Sequence, residues 1–303
     1  MENYIREIYD FLCSRGLSIY KVGSGYGYES ISVKLPSGEG FRQLLLLGAV
    51  ADTIELAKTQ QSAAQSEIMR IHQEYQSYPL IITEDRWRSQ NSMMQYRILS
   101  HLEIFTQIYA RNCEIKRIDK ATAQAFLEEN HSYGDATCKY RYGLYLKRHT
   151  GHNAHLQADS DCIAEHPSPG TLVAVATFSN ARKWIKGDKT IRSYEWTRYA
   201  SLPGVRLSGG MGRALKAFIK EVQPDDIMTY ADLEWSEGKV YEQLGFTLEG
   251  TRPAVSFIIA PSDWGRIPLS SKATAGVDML PPVSKIFQNF GSNKYRLKLT
   301  DYQ

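Results

Sequence analysis

Cysteine is scarce and scattered. Cys13, Cys113, Cys138 and Cys162 form no CxxC pair, so the chain gives no support to a zinc knuckle and suits reduced thiols better than a disulfide framework. Long apolar runs are also missing. Nothing approaches the roughly 20 residues that a membrane-spanning helix needs, and the opening MENYIREIYDFLCSRG carries acids every few positions where a targeting segment would be apolar. A soluble cytoplasmic protein with no membrane partner is expected. Charge of one sign is not in excess: 36 Lys and Arg stand against 33 Asp and Glu, a net of +3. Any nucleic-acid surface must therefore come from local clustering. No internal repeat is visible.

What is present is enough apolar residue to bury a core. With 303 residues, 43% hydrophobic and 23% charged, the chain is globular and long enough for two domains. Ile5, Ile8, Tyr9 and Leu12 have helical spacing that stops near Gly16. The glycine-broken alternation of 20–50 predicts strands or a hairpin, followed by a Gln-rich helix through Lys58 and beyond. PLIITEDRW reads as a short buried strand ending in acids, SQNSMMQYRILSHLEIF as a helix, and IYARNCEIKRID as one strand leading into the helix KATAQAFLEENH. A boundary is placed near Arg111.

From there the pattern predicts β-β-β-α-β-α-β. YRYGLYLKR and GTLVAVATFSN are expected to pair across a His-rich insertion, with SYEWTRYASLP as the third strand. DDIMTYADL is the next strand, SEGKVYEQLGF a short helix closed by Gly245, and TLEGTRPAVSFIIA a last strand. The tail beyond Pro261 ends in the alternating NKYRLKL, a strand or an arm for a partner. The expected domains are 1–110, 111–262 and a tail or arm at 263–303.

The stretch RLSGGMGRALKAFIKE, Arg206 to Glu221, sets three glycines ahead of an amphipathic run. A glycine turn feeding a helix gathers unsatisfied N–H groups at the positive end of the helix dipole, where anions bind. The plainer reading is a connecting loop.

The element order, this turn and VYEQLGF together resemble the GNAT superfamily of acyl-CoA N-acyltransferases. The resemblance implies an α/β fold, a GNAT-like mixed sheet with flanking helices, here preceded by a smaller α/β accessory domain. It also implies acetyl-CoA or a related acyl-CoA as donor, its pyrophosphate held at Arg206, Gly209, Gly210, Met211, Gly212 and Arg213. Arg206-x-x-Gly209 has the family spacing, but Gly210-Met211-Gly212 follows it, so either one residue is inserted or Leu207 stands where Arg or Gln is usual. Tyr241 matches the tyrosine that in many of these enzymes protonates the departing thiolate, and aromatic residues there also simply pack. Glu195 sits where a general base acting through water is often found; a lone acid on a strand is otherwise merely exposed.

Over about 110–260, FLEENHSYG, YRYGLYL, WTRYASLPG, SGGMGRAL and TYADLEWSEGKVYEQLGF are similar to phage Mom-type DNA-modification proteins and the GNAT-like modules of phage nuclease fusions. That likeness implies transfer of an acyl-derived carbamoylmethyl group to adenine in DNA. It singles out His131 and Tyr133, Tyr230 and Asp232, and Tyr241. Where those relatives commonly read Gly-Ala-Ser in the turn, this chain has Gly210-Met211-Gly212. LIITEDRW with IYARNCEI resembles the end of Vsr-like nuclease domains. Ser32-x-Lys34, with Glu29 displaced, stands where Glu-x-Lys would be wanted, which implies a degenerate domain kept for binding or support.

On their own chemistry these residues leave alternatives open. Asp232 ends a strand, where it is either a base for an amine or the N-cap of the next segment. His131 is a proton shuttle, a metal ligand or a helix cap. His149, His152, His155, Cys162 and His166 are a weak candidate metal set on what reads equally as a flexible loop. Arg182, Lys183, Lys186, Lys189 and Arg192 surround Trp184, the mixture that phosphate contact and base stacking require, or a solvated loop.

The expected function is acyl transfer to an amine, with a DNA base as acceptor. The alternatives are a conventional acetyl-CoA N-acetyltransferase on a small molecule or protein, and a non-catalytic DNA-binding protein.

Overall fold

A computed structural model describes residues 1–148, 152–154, 166–269 and 284–302, with backbone alone at 152–154 and at 186. The chain opens with α1 (Glu2–Cys13), which buries Tyr4, Ile8, Phe11 and Leu12 along one stripe. A meander of β1 (Ile19–Gly25), β2 (Tyr28–Lys34) and β3 (Phe41–Leu47) follows. α2 (Ile54–Tyr75), capped by the Thr53 hydroxyl at Leu56 N–H, crosses over to β4 (Leu80–Thr83), which lies parallel to β3. Two helices, α3 (Glu84–Ser89) and α4 (Asn91–His101), complete the unit.

The run of four leucines in β3 is apolar without alternation because the sheet is covered on both faces. Leu44 and Leu46 pack with α1 and α4, whereas Leu45 and Leu47 pack with Ala64 of α2. The acids and tryptophan expected at a strand end lie instead on α3.

The segment read as one strand through residue 113 is two, β5 (Phe105–Tyr109) and β6 (Cys113–Arg117), parted by a single 3₁₀ turn at Ala110–Asn112. β5 pairs with strands of the C-terminal half of the protein. After α5 (Lys120–Asn130) come β7 (Tyr140–Leu146), β8 (His152–Ala154), β9 (Leu172–Phe178), β10 (Arg182–Lys186), β11 (Lys189–Ser201) and β12 (Val205–Ser208). α6 (Gly210–Val222), β13 (Asp226–Asp232), α7 (Lys239–Gln243) and β14 (Thr247–Arg252) follow. The chain finishes with β15 (Ser256–Ile259), β16 (Arg266–Pro268), β17 (Lys285–Gln288) and β18 (Ser292–Lys298). β5 pairs parallel to β12 and antiparallel to β8.

The main sheet runs β14-β18-β13-β11-β9-β7-β6, with β10 added beside β11. Only β11 and β13 are parallel within it. α6 and α7 cover one face through a core that includes Phe178, Tyr194, Trp196 and Phe218, with Phe178 and Phe218 stacked at 4.0 Å between ring centroids. α5 covers the other face through Val175 and Ala200. This is the expected mixed α/β sheet with flanking helices and an extra N-terminal unit.

The end of the tail, read as a strand or an arm, is a strand: β18 lies between β13 and β14, and its Arg296 pairs with Asp226 at 2.7 Å with both side chains buried. The last strand, read as 247–260, is broken at Pro253, which cannot donate to a ladder. Its second half, β15, forms a small sheet with β16 and β17 whose Ile259, Phe287 and Phe290 pack on Leu45, Leu47 and Ile81 of the N-terminal unit.

Candidate active site

The parallel strands β11 and β13 pair only from Ser193–Asp226 to Glu195–Met228. Beyond that, β11 continues against β9 while β13 continues against β18. The two strands therefore diverge and open the sheet between its faces.

On the helix-covered face lies the glycine turn. Gly209 is the N-cap of α6 in the left-handed conformation, φ 77°, with no side-chain cap. A Cβ on Gly210 would overlap the Tyr199 hydroxyl and Leu207, and one on Gly212 would stand 3.3 Å from Leu244, so α7 packs against the first turn of α6. Among the described residues no acceptor meets the N–H groups of Gly210, Met211 and Gly212. The first turn carries no acid, and Arg213, whose Nη1 donates to Ala110 O at 2.9 Å, adds positive charge where the dipole is already positive. Those groups, in that arrangement, fit a phosphate-bearing ligand. Arg206 is not brought to them: its guanidinium lies over Phe105, 5.0 Å from the ring centroid, at the far end of the β5–β12 pair.

Tyr241 is set on the same face. Its ring packs against Trp196, Phe246 and Tyr295 with centroids 5.6–6.1 Å away. Burial pushes its hydroxyl pKa up, the Thr229 hydroxyl opposing, so it stays protonated at neutral pH.

Along β13, Ile227, Thr229 and Ala231 point into the helix-covered core, so Asp226, Met228, Tyr230 and Asp232 point to the opposite face. Asp232 and Tyr241 thus flank the sheet from its two sides, and among the described residues no hydrogen bond joins them. One oxygen of Asp232, Oδ1, accepts from Glu234 N–H at 3.0 Å and caps the turn after the strand; the other, Oδ2, accepts from the Tyr133 hydroxyl at 2.5 Å. Asp232 thus orders the turn that follows its strand, and each of its oxygens has a hydrogen-bond donor. Burial and the neighbouring Glu234 charge raise its pKa, while Tyr133, the Glu234 N–H and Arg86 pull the other way.

His131 is the C-cap residue of α5, and its Nδ1 accepts from Tyr133 N–H at 3.1 Å, which leaves the proton on Nε2. Burial, with Arg198 and Arg86 nearby, holds its pKa at about 4, so it is a neutral donor and not a cationic dipole partner. Glu195 lies level with the last β11–β13 pair, half-buried, on the face opposite Tyr194 and Trp196. Tyr230 is covered by Arg252, whose Cζ is 4.1 Å from the ring centroid and whose Nη2 donates to the Tyr230 hydroxyl.

Sequence reasoning missed the N-terminal unit's contribution. Arg86 lies over the rings of Tyr133 (4.9 Å) and Trp235 (5.3 Å), and its Nε donates to Glu234 at 2.7 Å. Arg266 joins the same carboxylate to Asp85, at 2.7 and 2.6 Å. All four side chains are buried. The available signal was the presence of ionised groups inside otherwise apolar runs such as LIITEDRW, since buried charges require partners.

Other candidates are dispersed. His149, His155 and Cys162 lie outside the described residues, His152 is placed by its backbone alone in β8, and His166 is exposed. No metal-binding group of three occurs among the described residues. Ser32 is buried against Gln43 and Lys34 is exposed, while Glu29 is taken by Tyr9 and Lys21, so these residues do not converge on one site. The basic stretch is a hairpin, β10–β11, closed by Gly187-Asp188, and not a loop. Its register alternates Arg182 and Trp184 with Lys183 and Ile185, so the cluster is divided between two faces. The Arg296 guanidinium lies 5.0 Å from the Trp184 ring centroid.

No protein-family model matches the chain, and no curated protein does. Among solved structures it is similar to the ribosomal-protein-S18-alanine N-acetyltransferase of Escherichia coli, at 13% identity over 63% of this chain and 96% of that one, TM-score 0.32. A crystal structure of the NatC complex bound to Gag peptide and CoA gives 12% identity over 62% and 99%, TM-score 0.34. A histone acetyltransferase HPA2-related protein of Corynebacterium glutamicum gives 11% over 63% and 98%, TM-score 0.34. At such similarity the assignment rests on the geometry of the site.

Proposed function

We propose that the protein is an acyl-CoA-dependent N-acyltransferase of the GNAT type, with an exocyclic amine of a DNA base as its acceptor. The observation that carries the donor half is the row of three open amides at the start of α6, beside the gap between β11 and β13. The amides of Gly210, Met211 and Gly212 would hold the pyrophosphate, and the thioester, when bound, would supply an electrophilic acyl carbon. Asp232 would take the proton of the incoming amine from one side of the sheet, and Tyr241 would give a proton to the leaving sulfur from the other. Glu195, at the point of divergence, would orient a water or the amine.

Calorimetric titration with acetyl-CoA tests the donor half. Gly210 is a poor probe, since any Cβ there collides with Tyr199 and Leu207. Met211 is half-exposed, and Met211→Glu places a carboxylate where the helix dipole tolerates it but a phosphate does not. Affinity is expected to fall by about tenfold or more with little change in melting temperature. Unchanged binding would reduce the turn to a connector.

The basic hairpin supports the DNA half. Changing Arg182, Lys183 and Lys186 together to Ala is expected to flatten the slope of log affinity against log salt by about one for each phosphate that is no longer neutralised. An identical slope would remove the hairpin from the interface and leave a small-molecule or protein amine as the acceptor.

A further inference from the structure

A cavity of about 560 Å³ lies between the N-terminal unit and the loop Leu233–Glu237, which leaves Asp232 and leads through Gly238 to α7. That volume is within the usual range of small-molecule sites, about 300–1,000 Å³. The cavity stands apart from the glycine turn and takes no part in the chemistry derived above. α2 lends it one helical face, Gln65, Ile68 and Met69, and Tyr78, Trp235 and Phe290 add three aromatic walls. Tyr78 is itself braced by His72, with ring centroids 4.3 Å apart.

The walls offer flat surfaces and one cation without a carboxylate partner among the described residues. The Arg97 guanidinium lies 4.0 Å from the Trp235 ring centroid, and its Nη1 and Nη2 donate to the carbonyls of Ile81, Glu234 and Trp235. Glu234 is neutralised by Arg86 and Arg266, and Glu237 by Lys239 at 3.2 Å. His101 is occupied by Gln43 O and, being buried, is neutral. A cationic ligand would find no counter-charge here, and a purely aliphatic one would leave unused the Gln65 amide and the Ser236 O–H, whose oxygen accepts from Gly238 N–H at 3.0 Å.

We infer that this cavity is a binding site for a planar heteroaromatic ring of nucleobase type, held between the aromatic walls with its polar edge toward Gln65 and Ser236. The site is independent of the donor assignment. Because its wall is the loop joining Asp232 to the helix of Tyr241, a ring seated there contacts the element on which both proposed proton-transfer groups depend. Such a ring has two sources, a free nucleoside or a base swung out of a nucleic-acid strand.

The test uses the full chain and two variants at the cavity mouth, Met69→Trp, which fills it from a position 58% exposed in the native protein, and Tyr78→Ala, which removes a wall. Acetyl-CoA binding and melting temperature, expected to be unchanged, report that each variant is folded and report separately on the donor site. Adenosine titrated by calorimetry is expected to bind the native protein and to bind each variant roughly tenfold or more weakly, the scale of removing one stacked ring. Binding of a single-stranded 12-mer but not of adenosine, abolished in the same variants and with an abasic 12-mer, assigns the ring to a strand. The inference is overturned if neither probe binds the native protein, or if both variants bind the probes as the native protein does.

Discussion

Asp232→Asn is expected to lower acyl transfer to the acceptor by about a hundredfold or more, the usual range for losing a positioned general base. An exocyclic base amine is a weak nucleophile, so the proton must leave as the new bond forms. Asp232 has one oxygen tied to the backbone of Glu234 and the other shared with Tyr133, which fixes its orientation at the end of β13. Stability should hold or rise. Burial and Glu234 raise the folded pKa of this carboxyl above its unfolded value. Its contribution to stability is therefore fully present below the unfolded pKa and is lost as pH rises through the folded one, so at neutral pH its ionisation works against folding.

The rate should fall as pH drops through that raised pKa. Tyr133→Phe, which removes a hydrogen bond to the ionised form, should move the fall to higher pH. Tyr241→Phe should also abolish most turnover, and the double variant with Asp232→Asn should be little worse than either single one if the two act as a unit. Near-native modification of DNA and of every amine tested by both single variants would end the acid–base assignment and favour a binding protein.

The second large effect is on folding. Arg266→Met is expected to destabilise the protein by about 3–5 kcal/mol, the penalty for stripping one partner from a buried ion network. Arg266 is 9% exposed, and its partners Asp85 and Glu234 are 3% and 1% exposed. After the substitution Glu234 keeps Arg86, but Asp85 is left as a buried charge without its cation. Adding Asp85→Asn should recover part of the loss, which separates the charge effect from the packing effect. Urea unfolding at neutral pH measures both, and a loss below about 1 kcal/mol would show that water replaces the guanidinium.

The same network sets an acid limit. Burial opposes the ionisation of Glu234, but Arg266 and Arg86 outweigh it and hold its pKa at about 2. A depressed folded pKa stabilises fully above the unfolded value, about 4.3, and that stability is lost as pH falls from there toward 2. Glu234→Gln should flatten the pH dependence of stability across that window.

How far these features were legible depends on how local their causes are. The glycine turn was readable because a left-handed residue at Gly209 and the absence of room at Gly210 are met within a few residues of sequence. The helices announced themselves by 3.6-residue periodicity, and the strands of YRYGLYL and GTLVAVATFSN by their composition and the turns between them. Asp232 stood out because it ends a well-marked strand, and Tyr241 because it lies in a short helix closed by Gly245. The hairpin β10–β11 carried a Gly-Asp signal in KGDK, outweighed in the reading by its charges.

The central place of β18 was hidden. NKYRLKL alternates as any strand does, and nothing local says that Tyr295 and Leu297 face one core while Arg296 faces Asp226 across the other side. Sheet order is settled by which edges remain open after the rest of the chain has folded, a property of pairing at long range.

By itself, then, the sequence determined most of the elements, the glycine turn ahead of α6, a carboxylate at the end of its strand and a tyrosine within its short helix. The tertiary structure alone decided that these two stand on opposite sides of a diverging strand pair, and that the N-terminal unit brings Arg86 over Tyr133, the partner of Asp232. Arg86 meets Glu234 across 148 positions and Arg266 meets Asp85 across 181. Such contacts leave no periodicity, because an ion pair needs only two compatible side chains and a fold that brings them out of water together.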